Sequence, residues 1–385
     1  MKGTYTRYML VAAGVIGLSA AGGLVGGELR AGEGFIQGTK VKTSLPSPFH
    51  ITRSPDGNTL YIVNQSGHSV TFVDAQSKTV TGEVAVKVQP EAAAVTPDGS
   101  LLFVCNAESD SMSIIDTKSK SVVKEIKVGD WPCSVKITKD GKTAYVCCSG
   151  SMWEYIDIID VAKQEKVGAI KLTNYGPRDI ALSPDGKTAA VVLDTCGSYN
   201  RSVNFIDLAT KQVTEKRVIR ESSNLRAVEY TPDGAFIAVT YESPKNWLPV
   251  CEAENGQVFT NNIAVLETKP GGKVARLPLD ELNNYDGNPY GLAVCPTGKY
   301  LYIGVRGMHR VTILDLGKIK QIVTSHNQEE LDYLRDDLTL VSDYLVARVP
   351  TGLGPSSVCL SPDGKICYAA NYFSNSVSVI RTPLD

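Results

Sequence analysis

Four histidines in 385 residues leave little material for a histidine-built metal or acid–base centre. Zinc and copper sites normally gather several nitrogen or sulfur ligands. His68 and His309 stand before equivalent strands two repeats apart, which is not a shared site, and His50 and His326 lie elsewhere. There is no Cys-x-x-Cys-His, so no covalently attached c-type haem is expected in this chain. Gly-x-Gly-x-x-Gly after a strand, Walker A, His-Glu-x-x-His and Gly-x-Ser-x-Gly are also missing, which removes the corresponding cofactor-binding and hydrolase readings. No charge of one sign dominates: 39 basic residues stand against 41 acidic ones, so nothing argues for nucleic acid or an anionic membrane as partner. Beyond the first thirty residues no apolar run reaches spanning length, so no integral membrane segment is expected after signal cleavage.

The N-terminus is different in kind. Lys2 and Arg7 precede an apolar, small-residue stretch from Met9 to about Gly27, followed by Leu29-Arg30-Ala31. That pattern predicts a signal peptide over residues 1–31 and an exported mature chain over 32–385. Nine cysteines in an exported chain invite a disulfide framework, but the number is odd. Cys105, Cys147 and Cys367 sit inside hydrophobic strand runs, with Cys295 and Cys359 just before turns. Buried free thiols pack as small hydrophobes there.

What the chain has in abundance is one turn. Pro-Asp-Gly recurs at Pro55-Asp56-Gly57, Pro97-Asp98-Gly99, Pro184-Asp185-Gly186, Pro232-Asp233-Gly234 and Pro362-Asp363-Gly364. Lys139-Asp140-Gly141 and Pro296-Thr297-Gly298 are degenerate copies, making seven. Proline presets φ, Asp bonds its own backbone and glycine accepts positive φ. Aligned on the turn, each repeat shows a strand ending in it (AAAVTPDG), a second after it (LFVCNA), a regular third (MSIIDT) and a shorter fourth (VVKEIKV). Four short antiparallel strands repeated seven times define an all-β, seven-bladed β-propeller.

Only six fourth strands follow their own repeat, because the seventh third strand runs into the C-terminus. Lys40-Val41-Lys42-Thr43-Ser44 precedes the first repeat and is predicted to complete the last blade, closing the ring and removing its exposed edges.

Turn spacing locates what is extra. Asp56 to Asp98 and Asp98 to Asp140 are both 42 residues, whereas Asp233 to Thr297 is 64 and Thr297 to Asp363 is 66. The fifth and sixth repeats therefore carry insertions, which in repeat proteins map to functional loops. The first, about 242–260, lies between second and third strands and holds Lys245, Asn246, Trp247, Leu248, Pro249, Cys251, Glu252 and Glu254. It either folds back over its own blade or inserts into a partner with Trp247 as anchor; these eight residues are the candidate partner contacts. The second, about 317–344, is predicted to be helical around Gln328–Arg335, with Leu331, Leu334 and Leu338 on one face and Ser325 capping it. The leucine stripe is expected to pack on the propeller edge rather than on another subunit.

Few other residues suggest chemistry. His50 occupies an inner-strand position whose equivalents are Ala92, Ser134, Asp179, Ala227, Gly291 and Ser357, small or polar residues that suit a narrow channel wall. His50 and Asp179 are candidates to face that lumen, with a satisfied structural role expected for the histidine. Arg178 and Arg226 are expected near one rim, where they would hold an anion or a partner carboxylate. Asp74, Asp116, Asp160, Asp207 and Asp315 recur at one repeat position, which points to a structural turn. No catalytic constellation emerges.

The segments LYIVNQSGHSVTFVD, LLFVCNAESDSMSIID and CYAANYFSNSVSVI resemble the YVTN family of propeller repeats. That family hosts surface-layer, binding and redox-complex proteins, so the likeness specifies fold more than function. The signal-peptide pattern, the seven blades, the insertion NWLPVCEAENG and the sixth-blade helix together are similar to the β subunits of hydrazine synthases from anammox bacteria. The resemblance implies a haem-free propeller subunit assembled with α and γ subunits that carry c-type haems. Together those subunits condense nitric oxide and ammonium to hydrazine in the anammoxosome lumen, with an intermediate moving between two haem sites. The rival resemblances are to the heavy chain of quinoprotein amine dehydrogenases, whose light chain bears the cofactor, and to a stand-alone periplasmic binding propeller.

Overall fold

The computed structural model describes residues 47–150, 154–194, 201–244 and 259–382, with strand residues 36–37 and 41–42. Six four-stranded antiparallel sheets and a seventh of five strands are arranged in chain order, each beginning with its inner strand. Those inner strands are Pro48–Arg53, Pro90–Val95, Pro132–Ile137, Pro177–Leu182, Val228–Tyr230, Pro289–Val294 and Pro355–Leu360. The seventh sheet takes its outer edge from the other end of the chain, as expected. Val41 and Lys42 pair with Val377 and Ser376, and Ile36 and Gln37 extend the same edge against Arg381 and Ile380.

The turn that organises the sequence works as its chemistry predicts. In each Asp-bearing copy the carboxylate accepts the amide two residues on, as from Ser100 N to Asp98 at 3.0 Å and Lys365 N to Asp363 at 3.1 Å. A hydroxyl two residues back also donates to it: Thr96 to Asp98 at 2.5 Å, Ser361 to Asp363 at 2.6 Å. In the copy without Asp, Thr297 Oγ1 accepts from Lys299 N at a longer 3.4 Å. The third-strand aspartates are turn-formers too: Asp116 accepts from Ser119 N at 2.7 Å and Asp207 from Thr210 N at 2.7 Å. The Asn of the second strand is structural as well, Asn64 Nδ2 donating to Ser69 and Thr71 at 3.0 and 2.8 Å.

The core lies between blades. Tyr61, Val63 and Phe72 of blade one pack against Leu102, Val104 and Ile115 of blade two, and similar clusters recur around the ring. Burial between neighbours rather than within a blade explains why a closed ring is needed: an end blade would leave one such face in water.

The sixth-blade insertion is helical, with one correction. It forms α1 (Leu316–Ser325), α2 (Gln328–Leu334) and a short α3 (Val341–Tyr344), not one helix. The cap of α2 is Asn327, not Ser325: Asn327 accepts from Glu330 N at 3.0 Å and Glu330 accepts from Asn327 N at 2.8 Å. His326 is extended, so Ser325 ends α1 instead of starting α2. Leu331 is fully buried against Ala275, Leu277 and Leu279 of blade five's outer region, so the insertion covers a seam of its own propeller. Leu338 lies outside α2. Among the described residues no helix is long and apolar enough to cross a membrane.

Candidate functional site

The inner strands enclose a central cavity of 590 Å³. Small residues permit the approach of neighbouring strands. At Gly291 a Cβ would sit 2.8 Å from the Cα of Ser357, so only glycine fits. Polar groups in the wall are largely tied to one another. Ser134 Oγ donates to Asp179 Oδ1 at 2.6 Å, and Asp179 Oδ2 accepts from Val228 N at 2.9 Å. Burial raises the Asp179 pKa, with Lys136 pulling the other way. Lys136 Nζ and Glu229 Oε1 form an ion pair of 2.8 Å.

His50 and Asp179 both line the lumen, but the expectation of a satisfied histidine is only half right. Burial, with the Lys136 charge added, pulls the His50 pKa down to about 3, so the ring is neutral. Its Nδ1 is buried with no hydrogen-bond partner among the described residues. Burial pushes the Cys133 and Cys359 thiols up to about 12 and 11. All seven described cysteines are free. A neutral imidazole without an orienting carboxylate and protonated thiols do not assemble the nucleophile–base pair that covalent catalysis requires. Among the described residues no group of three or more His, Cys, Asp or Glu is gathered.

The charged features concentrate at the mouth where the inner strands begin. In six of the seven blades the second residue of the inner strand bulges there, placing Glu91, Arg178 and Tyr290 along the cavity, and Arg226 joins them from the segment just before blade five's inner strand. Arg178 and Arg226 thus stand where the sequence places them. Arg306, from the loop after blade six's second strand, joins them unforeseen. Its guanidinium carbon lies 4.5, 5.0 and 5.2 Å from the ring centroids of Tyr372, Phe373 and Tyr290. Arg226 packs on Tyr290 at 5.1 Å, so one phenol ring contacts both guanidinium groups. Burial raises the Tyr290 pKa, while Arg226, Arg306 and Arg178 oppose that rise and Glu91 adds to it. Burial also raises the pKa of Glu91, against hydrogen bonds from Gln89 and Gln65 and the nearby Arg178 charge.

His68 and His309 share a structural role. Their Nδ1 atoms accept Gln89 N and Gly354 N, each at 3.0 Å, bracing the loop into the next blade. The candidate contacts Lys245, Asn246, Trp247, Leu248, Pro249, Cys251, Glu252 and Glu254 lie outside the described residues. Their flanking strands, Phe236–Pro244 and Phe259–Glu267, are nine residues each and stay paired to Pro244 and Phe259. Most second and third strands elsewhere have six, so this hairpin extends from the face that carries the arginine mouth.

A closed seven-bladed ring with a polar lumen and a charged, aromatic mouth defines a β-propeller. The model of the family described as "Lactonase, 7-bladed beta-propeller" matches residues 3–331. Hydrazine synthase subunit beta of Kuenenia stuttgartiensis is 75% identical over 372 residues, covering 97% of this chain and 96% of that protein. A solved structure of Kuenenia stuttgartiensis hydrazine synthase superposes with a TM-score of 0.87 at 72% identity, covering 91% of this chain and 99% of that one. The chain belongs to this propeller family and, within it, to the hydrazine synthase β subunits.

Proposed function

We propose that this chain is a haem-free, non-catalytic subunit of a hydrazine synthase, exported to the anammoxosome lumen, that scaffolds haem-bearing α and γ subunits and influences transfer of the intermediate between their sites. The observation that carries the reading is 75% identity spread over 97% of this chain and 96% of the relative. The geometry agrees with a binding role: the lumen's Ser134–Asp179 and Lys136–Glu229 groups engage each other, while the mouth's arginines lack comparable partners among the described residues. On this reading the residues from Lys245 to Glu254 reach a partner, because their hairpin extends from the same face as that mouth. The c-type haems supply the redox chemistry, in the partner subunits.

Native copurification with a visible spectrum and mass spectrometry of the associated chains tests the proposal. Soret absorption in the assembly, and none in the isolated chain, is expected. A quinone chromophore in a copurified light chain, or a chromophore-free monomer, would replace this reading with one of its rivals.

A further inference from the structure

Six of the twelve arginines among the described residues have a close carboxylate partner. Arg201 pairs with Asp194 at 2.6 Å, Arg310 with Asp286 at 2.6 Å and Arg276 with Asp332 at 2.9 Å, while Arg335 and Arg348 contact Glu221 and Glu281. Three of those without one stand together at the channel mouth, whereas Arg53, also without one, donates to the backbone carbonyl of Leu360 at 2.6 Å. Among the described residues, no carboxylate lies within ion-pair distance of Arg226 or Arg306, and Arg178 is 3.9 Å from Asp194, beyond hydrogen-bond reach. Arg226 has one long contact, 3.5 Å to Asn224, and Arg178 one of 3.4 Å to Ser149. The Nε atoms of Arg178 and Arg226 are buried without a partner among the described residues. Partly desolvated guanidinium groups in that condition are costly unless something else completes them. At Tyr290 the Glu91 charge acts against those of Arg226, Arg306 and Arg178.

A second observation concerns the ring around the mouth. Phe259, Leu282, Met308, Leu353 and Phe373 are exposed large apolar residues. All five lie on, or at the end of, segments that join second to third strands, or one blade to the next, in blades five to seven. By topology these segments share the face where the inner strands begin. Most of the other exposed apolar residues, including Val80, Val123, Val167 and Val218, are scattered singly along outer strands, which is ordinary. An apolar arc around a charged centre marks an interaction surface.

We infer that this mouth is a receptor for a carboxylate carried on an apolar segment of a partner protein, held by Arg178, Arg226 and Arg306. The inference rests on the subunit reading above and deepens it by naming the anchor. Arginine suits this role because its planar fork binds a carboxylate in bidentate fashion, and stacking on Tyr290, Tyr372 and Phe373 fixes the fork before the partner arrives. A free small anion would satisfy the charge but leave the apolar arc in water. That asymmetry favours a protein segment.

Phenylglyoxal footprinting of the native assembly and of the isolated full-length chain, read by mass spectrometry, tests this. Arg178 and Arg226 are expected to be modified in the isolated chain and protected at least about tenfold in the assembly, with sodium acetate up to about 0.1 M giving no comparable protection. Alongside it, the Arg178→Gln/Arg226→Gln variant should be retained at least about tenfold less well by its companions as salt rises through that range. Lys118→Gln/Lys211→Gln, an equal charge change on the opposite face, should be retained like wild type. Protection by acetate alone would make the occupant a free anion and overturn the inference. So would equal reactivity in assembly and isolated chain, or unchanged retention of the double variant. A chain that copurifies with nothing overturns the subunit reading itself and this inference with it; copurification without protection overturns the inference alone.

Discussion

Lys136 on the inner strand of blade three and Glu229 on that of blade five form a 2.8 Å ion pair inside the lumen, tying two blades that are not neighbours. Both side chains keep about a third of their exposure, 35% and 32%. Burial opposes the Lys136 charge, but Glu229 and Asp179 more than offset it and hold the ammonium pKa above its usual range. That exposure limits the pair's worth to about 1 kcal/mol. Lys136→Met should cost more, about 2 kcal/mol, because it leaves Glu229 and Asp179 facing each other without a cation. A double-mutant cycle with Glu229→Gln, followed by urea denaturation, should return a coupling near 1 kcal/mol. Strict additivity would show that the pair does not couple the blades.

Ring closure gives the second prediction. Val41 and Lys42 hold the outer edge of blade seven through Val377 and Ser376. Deleting residues 39–45 removes that pairing and opens the edge of a sheet whose stability comes from its neighbours. The melting temperature should fall by at least about 5 °C, and the protein should aggregate on heating. An unchanged melting temperature would mean that Ile36 and Gln37 suffice, or that the strand is not a closure element.

Asp280 predicts an inverted pH response. It is fully buried, accepting from Asn261 N at 2.8 Å and Asp286 N at 2.7 Å. Burial outweighs these hydrogen bonds and, with the Asp286 charge adding, pushes its pKa up to about 6. Arg310 and Arg348 engage Asp286, and Arg348 also engages Glu281. A carboxyl whose folded pKa lies above its unfolded value favours the fold when protonated. Its contribution is complete below about pH 4 and is lost as pH rises through about 6, up to about 3 kcal/mol. The turn aspartates are depressed, chiefly by hydrogen bonds, and run the opposite way, losing stability as pH falls. The difference between wild type and Asp280→Asn therefore isolates the effect: the variant should lose the part of the stability–pH slope between about pH 4 and 6 that opposes the turns. Parallel curves for the two proteins would rule this out.

The ring was legible because its punctuation is local chemistry. Five complete and two degenerate copies of a turn in which Pro, Asp and Gly each do one thing give the blade count, and the stretched intervals after Asp233 and Thr297 mark both insertions. What escaped was convergence across the ring. Lys136 and Glu229 sit at one inner-strand position, with Thr52, Ala94, Ala181, Ala293 and Cys359 as equivalents, so two opposite charges in that column were a readable hint. Arg306 gave no such hint, since it comes from a different loop from Arg178 and Arg226. The Ser325 cap misled because Ser-x-x-Gln and Asn-x-x-Glu overlap with an offset of two residues, and only the extended backbone at His326 decides between them.

The turns also touch one another, and this gives the last prediction. Each Pro-Asp-Gly glycine has φ near +70°, from +70° at Gly364 to +77° at Gly57. A Cβ on Gly57 would sit 2.6 Å from Cδ of Pro362 in the preceding turn of the ring, so blades seven and one interlock there. At Gly99 and Gly234 the corresponding prolines, Pro55 and Pro184, are at 3.4 and 3.5 Å. Gly186 has nothing within 4 Å, because the preceding turn carries Lys139 where the others carry proline. Alanine at Gly186 then bears only the backbone strain of positive φ, about 1 kcal/mol. Alanine at Gly57 adds a clash with a rigid pyrrolidine ring at the closure seam, about 1–3 kcal/mol more. Urea denaturation of Gly57→Ala and Gly186→Ala should separate the two by that margin. Equal losses would mean that the turns act independently and that the seam between first and last blades is held by its strands alone.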